Sequence, residues 1–120
     1  MYQFEKLDVW KESLVIIKEV YALVSKFPNE ERFALTDQIK RAVVSVSLNI
    51  AEGRGSSNDK EFVRFLNIAL ASLFEVVAGL KIAISLGYLL EEDTESVLEK
   101  TNIEGAKIKK LINTIKMDRG

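Results

Sequence analysis

Phe62, Leu66, Ala69, Leu73, Val76, Leu80 and Ala83 recur in an unbroken four-three alternation. That spacing marks one stripe of an α-helix. Leu70, Phe74, Val77 and Ile84 form a second apolar line beside it, and between Phe65 and Leu86 the only charged residues are Glu75 and Lys81. A helix that is apolar almost all round has to be buried on nearly every side. The chain has 120 residues, the length of one domain. In a small helical domain each helix keeps one side outward, so this helix asks for more cover than its own chain can supply.

The rest of the chain reads as three further helices. Leu7, Trp10, Leu14, Ile17, Tyr21 and Val24 make one stripe of the first helix; Val9, Ile16, Val20 and Leu23 make a second, interrupted by Ser13. Asp8 is placed to cap its start, and Pro28 lies beyond its end. In the second helix Ile39, Val43, Val46 and Ile50 form the core stripe, with Val44, Leu48 and Ala51 beside it. Thr36 is the expected N-cap and Gly53 the expected C-terminal cap. Asn58 with Glu61 resembles a capping box at the start of the third helix, and Gly87 ends it. Leu98, Thr101, Gly105, Ile108, Ile112 and Ile115 are the stripe of the fourth, where Gly105 suggests close helix approach. The expected spans are about 7–26, 37–52, 58–86 and 92–117, in a single domain over 1–120. Short connections favour an all-α, antiparallel up-down-up-down four-helix bundle. The wide stripes of the first three helices predict a homo-oligomer, with the first and third helices leading the contact.

One proline and six glycines are too few turn residues for an all-β chain. The absence of cysteine and histidine excludes disulfides, Cys/His zinc sites, His-assisted nucleophiles and the Glu-x-x-His di-iron bundle. No cofactor is implied. "MYQFEKLDVW" lacks the basic-then-apolar order of a signal peptide. "FLNIALASLFEVVAGL" is short for a bilayer span and carries Asn67 and Glu75. The expectation is a cytoplasmic protein with no membrane partner. A net charge of −1 gives no global attraction for nucleic acid.

Polar residues interrupt the apolar pattern in one place. Glu75, expected to be buried, needs a partner there. If the second and third helices pair antiparallel, Gln38 and Arg41 come within its reach. Gln38, Arg41, Ser45, Asn49 and Glu52 fall on one face of the second helix, opposite Arg64, Asn67 and Ser72 of the third. Two readings stand: a structural polar network of Gln38, Arg41, Ser45, Asn49, Glu52 and Glu75 that fixes register or assembly, or a ligand or metal site on Glu52 and Glu75. The stretch "GRGSSNDK" is not a P-loop, since no strand precedes it and the Gly-Lys-Ser/Thr ending is missing. It reads as a helix–helix corner, whose free amides with Arg54 and Lys60 could hold an anion.

"QIKRAVVSVSLNIAEG" followed by "FVRFLNIALASLFEV" resembles the signature of the four helix bundle proteins, also called 23S rRNA intervening-sequence proteins. "LDVWKESL", "FPNEERFALT" and "LGYL" extend the resemblance over nearly the whole chain; Leu48 departs from it, standing where many relatives carry a small residue or proline. The resemblance implies an antiparallel bundle assembling as a ring-like homopentamer, with no established enzymatic activity. A related branch, the accessory proteins of diversity-generating retroelements, binds nucleic acid and a reverse transcriptase through a basic surface. Here the basic candidates are Lys40, Arg41, Arg54, Lys60 and Arg64 around the second corner, and Lys107, Lys109, Lys110, Lys116 and Arg119 in the last helix. The function expected is a non-enzymatic scaffold or adaptor that contacts itself, RNA or DNA, or a nucleic-acid-processing protein. The alternative is a metal-dependent nucleotide hydrolase using Glu52, Glu61 and Glu75; it lacks the Glu-x-x-Glu arrays such enzymes carry.

Overall fold

The computed structural model describes residues 1–119; Gly120 and the side chain of Arg119 lie outside the described residues. The chain is all-α. A 3-10 turn at Gln3–Lys6 leads into α1 (Asp8–Val24), and a second at Asn29–Glu31 precedes α2 (Leu35–Arg54). The chain continues into α3 (Asp59–Ser85) and α4 (Glu91–Arg119). No strand occurs among the described residues.

The helix ends follow local hydrogen bonding. Asn58 Oδ1 accepts from the Glu61 N–H at 2.9 Å, so half of the capping box forms. The Glu61 carboxylate goes instead to Arg64, at 2.8 Å. Thr36 does not cap α2, which begins one residue earlier: the Glu31 carboxylate takes the Leu35 N–H at 3.3 Å and fills that role from the preceding turn. Nor does Asp8 cap α1. Leu7 holds the cap position, and Asp8 is free to pair with Lys107 at 3.0 Å. At the end of α3, Gly87 adopts φ +81°, with the Tyr88 N–H reaching back to the Ala83 carbonyl and the Gly87 N–H to that of Ile84. These two bonds are the Schellman closure that favours glycine.

Gly53 is no cap. The helix continues to Arg54, and a Cβ on Gly53 would lie 2.8 Å from Phe65 Cβ. Its missing side chain lets α2 close on the first turns of α3. Gly79 does the same higher up, where a Cβ would stand 2.6 Å from Ile39 Cγ1. At Gly105 the same atom would meet Leu73 and Leu70 at 3.6 and 3.7 Å, ordinary contact distance, so close approach does not explain that glycine.

The core stripes of α2 and α3 are buried as expected, except that Phe62 is half-buried. In α1 the second stripe is the inner one, although Val24 of the first is buried too. The stripe through Val9, Ser13, Ile16, Val20 and Leu23 is buried, while Leu14 and Tyr21 of the other stripe face outward. Two apolar clusters result. One is built on Ile16, Val20, Ile39, Val43, Val76 and Leu80. The other centres on Val9, Ile50, Leu66, Leu73, Ile108 and Ile112. Between α4 and α1 with the turn after it runs a ladder of ion pairs: Asp8 with Lys107, Glu19 with Lys100, and Lys26 with Asp93.

Candidate functional site

On the α2–α3 face, the helical period brings Gln38, Arg41, Ser45 and Asn49 into one row, and α3 supplies Ser72 and Glu75 opposite. Gln38 Nε2 donates to Glu75 Oε2 at 2.8 Å. Ser45 and Ser72 share a hydrogen bond of 2.9 Å between their hydroxyls. Asn49 Nδ2 donates to both the carbonyl and the hydroxyl of Ser45, at 2.8 and 2.9 Å. Arg41 does not reach Glu75; it pairs within its own helix with Asp37 at 2.9 Å. Glu52 and Asn67 are exposed, and Arg64 pairs with Glu61 and stacks 4.4 Å from the Phe65 ring centre.

The expected burial of Glu75 is corrected here. Gln38 and Glu75 are both exposed. The apolar residues around Glu75 in sequence are themselves partly outward: Ile68, Phe74 and Ile82 are 38, 54 and 50% exposed, and Ala71 and Ala78 lie between them. Glu75 therefore sits on an outward apolar face, not inside the core. That face is large. Only 39% of the most apolar 18-residue window of α3 is buried, and by length and composition this 27-residue helix is able to cross a membrane. The stretch over residues 65–80, short for a bilayer span by itself, is the middle of this longer helix. Beside the polar row lies an open depression of about 600 Å³, bordered by Tyr21, Lys40, Val44, Leu48 and Glu52. A second depression, of about 460 Å³, contains Gln38, Ser72 and Glu75.

The acids proposed for metal or ligand work do not converge. Glu61 is held by Arg64, Glu75 by Gln38, and Glu52 borders a different depression. Among the described residues no group of three or more metal-ligating side chains comes together.

The basic candidates divide into separate groups. Arg54, Lys60 and Arg64 surround the α2–α3 corner. Lys40 stands away from that corner, with its ammonium 5.0 Å from the Tyr21 ring centre. In α4, residues 107 and 109 point roughly 200° apart around the helix. Lys107 accordingly turns to Asp8 of α1, and Lys109 to the Phe74 ring of α3 at 5.5 Å. Lys110 joins Lys107 at a groove of about 360 Å³ with Leu7, Val9 and Leu111.

One residue escapes the sequence reading altogether. Glu104 is 1% exposed, and neither carboxyl oxygen has a hydrogen-bond partner among the described residues. Burial, then the Glu12 carboxylate, push its pKa up to about 8; Lys107 works in the opposite direction. Its position was visible in principle, three residues after Thr101 and four before Ile108 on the core stripe of α4.

With this geometry in hand, the relatives of the chain can be placed. The family model for 23S rRNA-intervening sequence protein matches residues 5–113. The chain belongs to that family. A crystal structure of a protein of unknown function from the S23 ribosomal protein family of Bacteroides thetaiotaomicron VPI-5482 superposes with a TM-score of 0.79. It is 27% identical, and the match covers 87% of this chain and 97% of that one. No curated protein matches. The 23S rRNA-intervening sequence protein family thus spans α1 to α3 and α4 as far as residue 113.

Proposed function

We propose that this chain is a non-enzymatic scaffold: an antiparallel up-down-up-down bundle that assembles as a ring-like homopentamer in the cytoplasm. The observation that carries the reading is the outward face of α3. Ile68, Ala71, Phe74, Ala78 and Ile82 leave an apolar strip on a helix whose other side already packs on its own chain. The Gln38–Glu75 and Ser45–Ser72 bonds beside it hold α2 and α3 in register and so fix the shape of that face. The Glu75 carboxylate on that face favours a protein cover over a lipid one, because a charged side chain in hydrocarbon is costly. The α1–α4 ion-pair ladder, in which rising numbers meet falling ones, supports the antiparallel order.

The assembled ring is proposed to contact RNA, DNA or a nucleic-acid-processing protein. The basic residues Arg54, Lys60 and Arg64 lie toward the end that also holds the Val9–Ile50–Ile112 cluster, with Lys107 and Lys110 along the adjacent seam. In a ring this array repeats with each subunit, and repetition multiplies weak phosphate contacts.

Multi-angle light scattering at micromolar concentration tests the assembly. The expected mass is five times the 13.5 kDa chain. The Phe74→Glu/Ile82→Glu double variant should keep its helical circular dichroism and lose the assembly, since both side chains are outward in the chain itself. A wild-type mass of one chain would overturn the reading.

A further inference from the structure

Among the described residues the two apolar clusters part along the seam between α1 and α4. On α2 and α3 the two apolar clusters meet directly, from Val43 to Val46 and from Val76 to Leu73. On α1 they stop at Ile16 and resume at Val9, and on α4 they stop at Val97 and resume at Ile108. Buried in the gap lie Ser13, Thr101 and Glu104. Ser13 and Thr101 donate their hydroxyl protons to carbonyls of their own helices, those of Trp10 and Leu98. Neither therefore offers a proton to Glu104, whose two oxygens stay without partners.

The charges acting on Glu104 are few. Glu12 and Asp8 come from α1, and Lys107 comes from α4 and is itself held by Asp8. The buried positions of α2 and α3 carry no ionisable group. A carboxylate in this gap would have no donor and two like charges nearby, an arrangement that disfavours ionisation. α4 also has less apolar hold on the core than α3. Thr94, Thr101, Glu104 and Gly105 all occupy its buried positions, where α3 places almost only aliphatic side chains.

We propose that Glu104 is a proton-operated latch: the neutral acid lets α4 close on α1, and each opening of α4 releases that proton to water. Closed, the group keeps its proton up to about pH 8; open, it ionises above its ordinary 4.5. Between those values the open state binds fewer protons, so opening grows about tenfold per pH unit. Below and above the window the dependence flattens. The latch therefore makes the exposure of the α1 and α3 surfaces under α4 responsive to pH across neutrality.

Hydrogen exchange of the α4 amides, divided by the intrinsic exchange rate at each pH, tests this on the full chain. Protection should fall about tenfold per unit from pH 5.5 to 7.5 and level off above 8, and α4 amides should be less protected than α2 and α3 core amides at every pH, because α4 opens without them. Glu104→Gln should remove the slope. Glu12→Gln should move the levelling to lower pH, because it takes away a like charge; Lys107→Met should move it higher. Flat wild-type protection, an unchanged slope in Glu104→Gln, or α4 protection equal to that of the α2 and α3 core would overturn the proposal. If Glu104→Gln does not fold, the opposite shifts of the other two variants decide, and identical midpoints in both refute it.

Discussion

Gly79 and Gly105 both sit inside helices and both face a neighbouring helix, yet they should respond to alanine in opposite ways. Each substitution gains helix propensity worth ~1 kcal/mol. At Gly105 the added methyl meets Leu73 and Leu70 at 3.6 and 3.7 Å, so the gain is retained and Gly105→Ala should stabilise by up to ~1 kcal/mol. At Gly79 it would stand 2.6 Å from Ile39 Cγ1 and 3.0 Å from Cδ1. Cγ1 lies near the root of a β-branched side chain on a helix, where rotation about χ1 is strongly restricted. α2 must then move away from α3, and overpacking of this kind costs about 1–3 kcal/mol. Propensity cancels between the two variants, so their difference isolates the packing term at about 1–3 kcal/mol. Urea unfolding followed by far-UV circular dichroism at one fixed protomer concentration measures it. Ile39→Ala removes the clashing carbons, and in that background Gly79→Ala should cost little. A Gly79→Ala protein as stable as Gly105→Ala would refute the close α2–α3 approach.

Other consequences follow from single residues. Relative to Glu104→Gln, the wild type should lose roughly 3–5 kcal/mol between pH 5 and 8 in urea unfolding, because the raised pKa gives stability that is complete below 4.5 and lost as pH rises through 8. Gly87→Ala should cost about 1–2 kcal/mol in the same assay, since φ is +81° there. Glu75→Ala removes one exposed hydrogen bond and should change the stability of the isolated chain by less than about 1 kcal/mol, while lowering the assembled mass seen by light scattering. RNA or DNA affinity measured at several salt concentrations should fall steeply as salt rises; no binding at low salt would remove nucleic acid as a partner.

The stripes of α2 and α3 were legible because period 3.6 is imposed on any helix that buries one face. The sequence was ambiguous where two apolar stripes lie side by side. In α1, nothing in the pattern says whether Leu14 and Tyr21 or Ile16 and Val20 turn inward; packing against α2 and α4 decides. The same ambiguity hid the place of Glu75. Its apolar neighbours suggested a core, yet on α3 the outward face is apolar too. Glu104 misled in the opposite sense. Set among charged residues in "NIEGAKIKK", it reads as surface, although Thr101 and Ile108 place it on the buried stripe and Ser13 breaks the facing stripe of α1. Caps shifted because the Glu31 carboxylate takes the first α2 amide in place of Thr36, and because Asp8 turns to Lys107 of α4 while Leu7 stands at the start of α1.

The proposed scaffold depends on another copy covering the outward face of α3. The chain has no cysteine, so a single Ala78→Cys substitution places one thiol on that face with little change in volume. Ser57→Cys, at the exposed α2–α3 corner, gives the reference rate. In the native protein the thiol at position 78 should react with a maleimide at least tenfold more slowly than the one at position 57, and equally fast after unfolding. Equal rates in the native protein would show that face open to solvent and contradict the central claim.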